Sequence, residues 1–227
     1  MPYSALVYRE VPPAEGPARA TVVALHGANG GLDDLVPLAR SLGPNLHVVA
    51  PEAARGVYTI RELVAHTWYG GWRIDRPEPA SFGDSLAQLE RFLYDVRERA
   101  GAKASGPPWL LGVDQGAVLA LSLAAVVPDL IAGAMAIRGC LPTFSDPTLL
   151  EPVASALPIL LVADPDDSAL PPAEVEAIAK RFAALGATVA TTWMAGARDL
   201  GPGVTDALRL WLGEGFATER SAGRVRS

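Results

Sequence analysis

Four short segments carry the residue types that chemistry needs. In Gly112-Val113-Asp114-Gln115-Gly116, one polar residue sits among small ones, between an apolar run and a second apolar stretch. That is the layout of a nucleophile elbow, a strained strand-to-helix turn whose usual form is G-x-S-x-G. Here Asp114 stands where serine would. His26-Gly27-Ala28-Asn29-Gly30-Gly31 follows another apolar run. Glycines there allow a tight turn that exposes N–H groups to a bound oxygen, and they equally suit a plain strand-to-helix turn. Asp164-Pro165-Asp166-Asp167-Ser168 places three carboxylates after a third apolar run, where helix capping also accounts for acids. Trp193–Leu200, holding Arg198 and Asp199, reads by itself only as a loop.

Other chemistries lack their residues. The glycine spacing is not G-x-G-x-x-G, and no glycine-rich turn continues into Gly-Lys-Ser/Thr, so neither a dinucleotide fingerprint nor a P-loop is present. One cysteine and three scattered histidines lack metal-ligand spacing, and Asp164, Asp166 and Asp167 make a weak oxygen cluster. No metal or cofactor is expected.

The elements that must position these segments follow from hydrophobic periodicity. Runs at Ser4–Tyr8, Thr21–Leu25, Leu46–Ala50, Trp109–Val113, Ile131–Ile137, Pro158–Ala163 and Thr188–Trp193 predict strands, most of them near-continuously apolar as in parallel strands buried on both faces. Helical patterns fall between them at Leu32–Leu42, Asp84–Ala100, Gln115–Val127, Pro172–Leu185 and Val204–Leu212. This alternation predicts a mostly parallel central sheet with helices on both faces, in a single α/β domain over 1–213. Residues 214–227 read as a polar, flexible tail. Glu52–Phe82 has no clean period but is rich in aromatics, which marks a loop that shapes a site.

The chain has 227 residues and net charge −6, with half of its residues apolar. An acidic balance argues against binding nucleic acid through phosphates. The longest apolar run, Ala117–Val127, is too short to span a bilayer. The start has no charged region leading into an apolar run, so no signal peptide is read there. With Cys140 alone, no internal disulfide can form. The expectation is a cytoplasmic protein, monomeric or homodimeric.

Together, and in this order, the four segments resemble the α/β-hydrolase fold, and within it the carboxylesterase/phospholipase family that includes acyl-protein thioesterases. The resemblance covers about residues 18–213. Leu25–Gly31 is similar to the family's L-H-G-x-G-G turn, and Gly112–Ala117 to its G-F-S-Q-G-A elbow. Arg138-Gly139-Cys140-Leu141-Pro142 resembles its S-G-x-L-P segment with arginine in place of serine. Its acid loop aligns Asp167 with the triad acid, and its G-H-x-I segment aligns Arg198 with the histidine.

The resemblance therefore implies an aspartate–arginine–aspartate set, Asp114/Arg198/Asp167, in place of the triad. It also implies an oxyanion hole from the N–H groups of Ala28 and Gln115. Asp114 has no hydroxyl to activate, and Arg198 cannot release a proton. Arg198 is expected to lie within hydrogen-bond reach of Asp114, as a structural or ligand-binding ion chain. Asn29, Trp68, Tyr69, Trp72 and Arg138 are expected to complete a pocket for a small anionic or zwitterionic ligand. The alternative is a genuine hydrolase of unorthodox mechanism. One such route has Asp114 as nucleophile, as in haloalkane dehalogenases and epoxide hydrolases, with His66 as the base that would have to be recruited.

Overall fold

The computed structural model describes residues 6–100, 106–144, 150 and 154–225; the side chains at 72, 100 and 216–225 are outside the description. Seven strands form one sheet: β1 (Tyr8–Val11), β2 (Ala20–Leu25), β3 (Leu46–Pro51), β8 (Trp109–Val113), β9 (Gly133–Ile137), β10 (Pro158–Ala163) and β11 (Thr188–Trp193), in the order β1-β3-β2-β8-β9-β10-β11. Every pairing is parallel except β1 on β3. The first strand thus lies at Tyr8–Val11 rather than Ser4–Tyr8, and residues 1–5 lie outside the described ones. Its partly exposed residues suit an edge that one neighbour covers.

Period-two alternation divides each central strand between two cores. Val23, Leu25, Leu110, Ala134, Ala136, Ile159 and Leu161 face one side, under α2 (Pro79–Ala100), α3 (Gln115–Val126) and α4 (Pro172–Ala184). Val22, Ala24, Leu111, Met135, Ile137, Leu160 and Val162 face the other, under α1 (Val36–Ser41) and α5 (Pro202–Val225). Near-continuous apolar strands are what burial on both faces demands. Helix α3 is buried all round from Gly116 to Ala125, matching its lack of a polar face.

Four further expectations shift. Helix α1 is shorter than its pattern, Val36–Ser41 instead of Leu32–Leu42, with turns at 32–35 leading to Pro37 in its first turn. Helix α2 starts at Pro79, before Asp84, because the Glu78 carboxylate accepts the free N–H groups of Ala80 and Ser81. Helix α5 starts at Pro202 and continues through the 214–227 segment, read as a tail, as far as Val225. Within it Gly215 packs closely on Trp109, whose ring would lie 3.0 Å from a Cβ there. Glu52–Phe82 is not one loop. It holds two small hairpins, β4 (Arg55–Tyr58) with β5 (Leu63–Thr67), and β6 (Gly71–Arg73) with β7 (Arg76–Pro77). Register shifts in both explain why no period shows in the sequence. Among the described residues, no helix is long and apolar enough to cross a membrane.

Candidate active site

The elbow is built as its spacing predicts. Between β8 and α3, Asp114 takes φ 49° and ψ −116°, a strained conformation for any residue with a Cβ. A Cβ on Gly112 would lie 2.4 Å from the Gly116 carbonyl oxygen, and one on Gly116 would lie 2.0 Å from that of Leu25. Only glycine fits at either position. The turn is pinned by Asp114 N–H to the Ile137 carbonyl at 3.1 Å, and by Val118 N–H to the Asp114 carbonyl at 3.0 Å. The Asp114 side chain is thereby presented at the N-terminus of α3.

Its partner is Arg138, not Arg198. The residue after β9, Arg138 has φ 54° and donates its own N–H to Val162. Its guanidinium Nη1 donates to Asp114 Oδ1, and its Nε donates to Asp167 Oδ2 at 2.6 Å. Asp167 Oδ1 also accepts from Ala169 N–H at 2.9 Å. Arg198 lies in a short turn at Ala197–Asp199, flanked by left-handed Gly196 and Leu200, and its side chain is exposed. It feels Asp114 electrostatically but makes no hydrogen bond to it. Two cations act on the same carboxylate from the ends of β9 and β11, on either side of β10, and the one rooted nearer the sheet centre closes on it.

The two carboxylates shift in opposite directions. Burial pushes the Asp114 carboxyl above its ordinary value, more than the Arg138 and Arg198 charges lower it. Burial also pushes Asp167 up, but the Arg138 hydrogen bond and the Ala169 N–H outweigh it and hold Asp167 below its ordinary value. Arg138 loses solvation, yet its two carboxylates keep it firmly charged.

Against this ion chain lies a cavity of about 430 Å³, lined by Ala28, Tyr69, Ile74, Asp114, Gln115, Arg138 and Arg198, together with Arg73 and Asp75. Arg73 is held by Asp75 at 2.8 Å. The N–H groups of Ala28 and Gln115 have no acceptor among the described residues. The Gln115 side chain does different work. Its Oε1 accepts from Thr67 Oγ1 at 2.8 Å and Trp68 N–H at 2.9 Å, and its Nε2 donates to the Tyr69 carbonyl at 2.8 Å. One amide thus fixes the wall that carries Tyr69.

Other expected pocket residues go elsewhere. Trp68 is fully buried, stacked on His26 with ring centroids 5.0 Å apart, and its Nε1–H donates to the His26 carbonyl. Asn29 lines a separate groove with Gly30, Asp34, Glu52 and His66. The Trp72 side chain lies outside the described ones. Sequence reasoning missed Arg73 and Asp75 as wall residues; their charges beside paired glycines were the available signal. It also missed Asp164, whose carboxylate accepts from Asp166 N–H and Gly196 N–H and so ties the loop of Asp167 to that of Arg198.

All three histidines are committed away from the cavity. His26 Nδ1–H donates to Gly27, and its Nε2 accepts from Ala53 N–H. His47 bridges Thr21 and Glu10. His66 bonds the Ala53 carbonyl through Nδ1 and faces Glu52 at 3.5 Å. Cys140 is buried and its thiol is pushed up to about 12, chiefly by lost solvation. Among the described residues, no group of three or more His, Cys, Asp or Glu could hold a metal ion.

No protein-family model matches the chain. In sequence it is 31% identical over 178 residues to the Nocardia uniformis subsp. tsuyamanensis protein named "Putative esterase NocK". That match takes in 74% of this chain and 48% of the relative, so the chain spans about half the relative's length. The Bacillus cereus carboxylesterase shares the fold, with a TM-score of 0.79 at 16% identity, covering 93% of this chain and 95% of that one. So does YahD, solved with malic acid, with a TM-score of 0.76 at 15% identity over 92% and 98%.

Proposed function

We propose that this chain, an α/β-hydrolase-fold protein, binds a small anionic or zwitterionic carboxylate and does not hydrolyse esters by the serine route. The observation that carries this reading is the Asp114–Arg138–Asp167 ion chain on the cavity floor. A carboxylate sits where the attacking hydroxyl is required, and an arginine takes up the acid that would orient a histidine. The floor is closed to nucleophilic catalysis, while the cavity above it stays open.

The remaining polar groups suit recognition. Arg198 lines the cavity with no hydrogen bond among the described residues, and the N–H groups of Ala28 and Gln115 lie beside the positive end of α3. A ligand carboxylate satisfies all three. Asp114 and Asp75 on the floor and wall favour a ligand that also carries a cation or a hydroxyl donor. The malic acid bound to the fold neighbour YahD is of this chemical size and makes malate a natural first probe. A lone, inert cysteine suits a reducing cytoplasm.

The Asp114-nucleophile route needs a base to release the ester intermediate. With His26, His47 and His66 all bonded elsewhere, nothing favours it.

Two measurements on the purified chain test the proposal. Hydrolysis of p-nitrophenyl acyl esters is expected to be equally negligible for the wild type and Asp114→Ala; turnover that Asp114→Ala abolishes would overturn it. Calorimetric titration with malate and with small zwitterionic acids is expected to show binding that weakens about 10-fold or more in Arg198→Ala. No binding by any of them would remove the recognition half of the reading.

A further inference from the structure

The two edges of the seven-stranded sheet are treated differently. At one edge, β1 is four residues long and carries charge: Arg9 makes two 3.0 Å hydrogen bonds to Asp33, and Glu10 bonds His47 at 2.9 Å. Short, charged edges resist further pairing. At the other, β11 runs for six residues, Thr-Val-Ala-Thr-Thr-Trp, with no charge, proline or bulge.

The ladder fixes which groups of β11 face outward. Thr188 N–H donates to Leu157 at 3.0 Å and Met194 N–H to Ala163 at 2.8 Å, so even-numbered residues bond β10. The N–H and C=O groups of Val189, Thr191 and Trp193 therefore point away from the sheet, and none has a partner among the described residues. Trp193 is 41% exposed on the same strand.

We propose that β11 pairs antiparallel with β11 of a second copy of this chain, on a two-fold axis through Thr191. The match is self-complementary. In that register Val189 faces Trp193, Thr191 faces itself and Trp193 faces Val189. Each pair of outward residues exchanges both of its hydrogen bonds. The exposed indole lands on a β-branched neighbour, a favourable cross-strand pair, and the axis holds a threonine pair. Two sheets become one continuous sheet, and the unguarded edge disappears.

Because Thr191 meets its own copy, a single charge there meets itself. Sedimentation equilibrium of the full chain is expected to give about twice 23.7 kDa. Thr191→Lys and Thr191→Glu are each expected to be monomeric, with circular dichroism unchanged because this side chain is exposed. An equimolar mixture of the two is expected to regain the dimer. A monomeric wild type, a charged variant that stays dimeric, or a mixture no more associated than its components would each overturn the proposal.

Discussion

Arg138 Nε lies 2.6 Å from Asp167 Oδ2, and the far end of the same guanidinium donates to Asp114. The Arg138 and Asp167 side chains are each 12% exposed and that of Asp114 is 24% exposed, so solvent screens the chain only partly. Replacing Arg138 by methionine leaves two adjacent, partly buried carboxylates without the counter-charge that hydrogen-bonds both, and only the Arg198 charge still acts on Asp114. The expected cost is about 3 kcal/mol, at the low end for a broken buried pair. Urea denaturation at neutral pH measures it. Adding Asp114→Asn to Arg138→Met should recover part of the loss, because the two sites are coupled.

Opposite shifts at the two carboxylates give opposite pH dependences. Asp167 titrates below its unfolded value, so its stabilisation is present above the ordinary aspartate value, about 3.9, and is lost as pH falls through its folded value. Asp167→Asn should therefore lower Tm at neutral pH, with the difference vanishing in acid. Asp114 titrates above its unfolded value, so ionising it works against folding as pH rises through that folded value. Asp114→Asn should raise Tm at neutral pH, and the gain should disappear below the ordinary aspartate value. Thermal melts of the three proteins from neutral pH into acid test both signs.

Putting a serine at the elbow is not enough to make an esterase. Asp114→Ser supplies a hydroxyl but no base, and Arg138 still occupies Asp167. Esterase turnover by this single variant should stay at the wild-type level. The triple variant Asp114→Ser/Arg138→Ser/Arg198→His frees Asp167 to orient an imidazole from the loop that lines the cavity. Its p-nitrophenyl ester turnover should exceed that of the single variant by about 10²-fold or more. Equal rates would mean that an imidazole at position 198 does not reach the elbow.

Gln115 holds Thr67, Trp68 and Tyr69 through one side-chain amide. Gln115→Ala removes three partly buried hydrogen bonds and should cost about 2 kcal/mol. The cavity wall should loosen before the core does. Amide exchange at Trp68 and Tyr69 should therefore speed up more than exchange in β8.

Gly116 touches the β2 backbone, where a Cβ would sit 2.0 Å from the Leu25 carbonyl oxygen. Gly116→Ala must push α3 off the sheet, a backbone clash that no rotamer relieves. The variant should melt well below the wild type or fail to accumulate as folded protein, as read from soluble yield and Tm.

The sheet and the elbow are legible in the residue pattern alone. Short apolar runs of five to seven residues bounded by turn residues predict strands, and β2, β3, β8, β9, β10 and β11 fall within a residue or two of their predicted spans. Gly112 and Gly116 around one polar residue specify the strained turn, because backbone crowding there leaves no other solution. The aligned position of Asp167 also lies beside Asp114, through one shared arginine. Which arginine that is depends on how the strand ends are brought together in three dimensions. Arg138 and Arg198 follow strands on either side of β10, and both charges act on Asp114; the choice depends on backbone direction at φ 54° after β9, which no spacing encodes. The same holds for the aromatics. Trp68 looks like a pocket residue in sequence, yet stacking on His26 buries it completely, while Tyr69, one residue on, reaches the cavity. Local periodicity fixes where the chain is extended or helical, but side-chain partners across loops are set by three-dimensional packing alone.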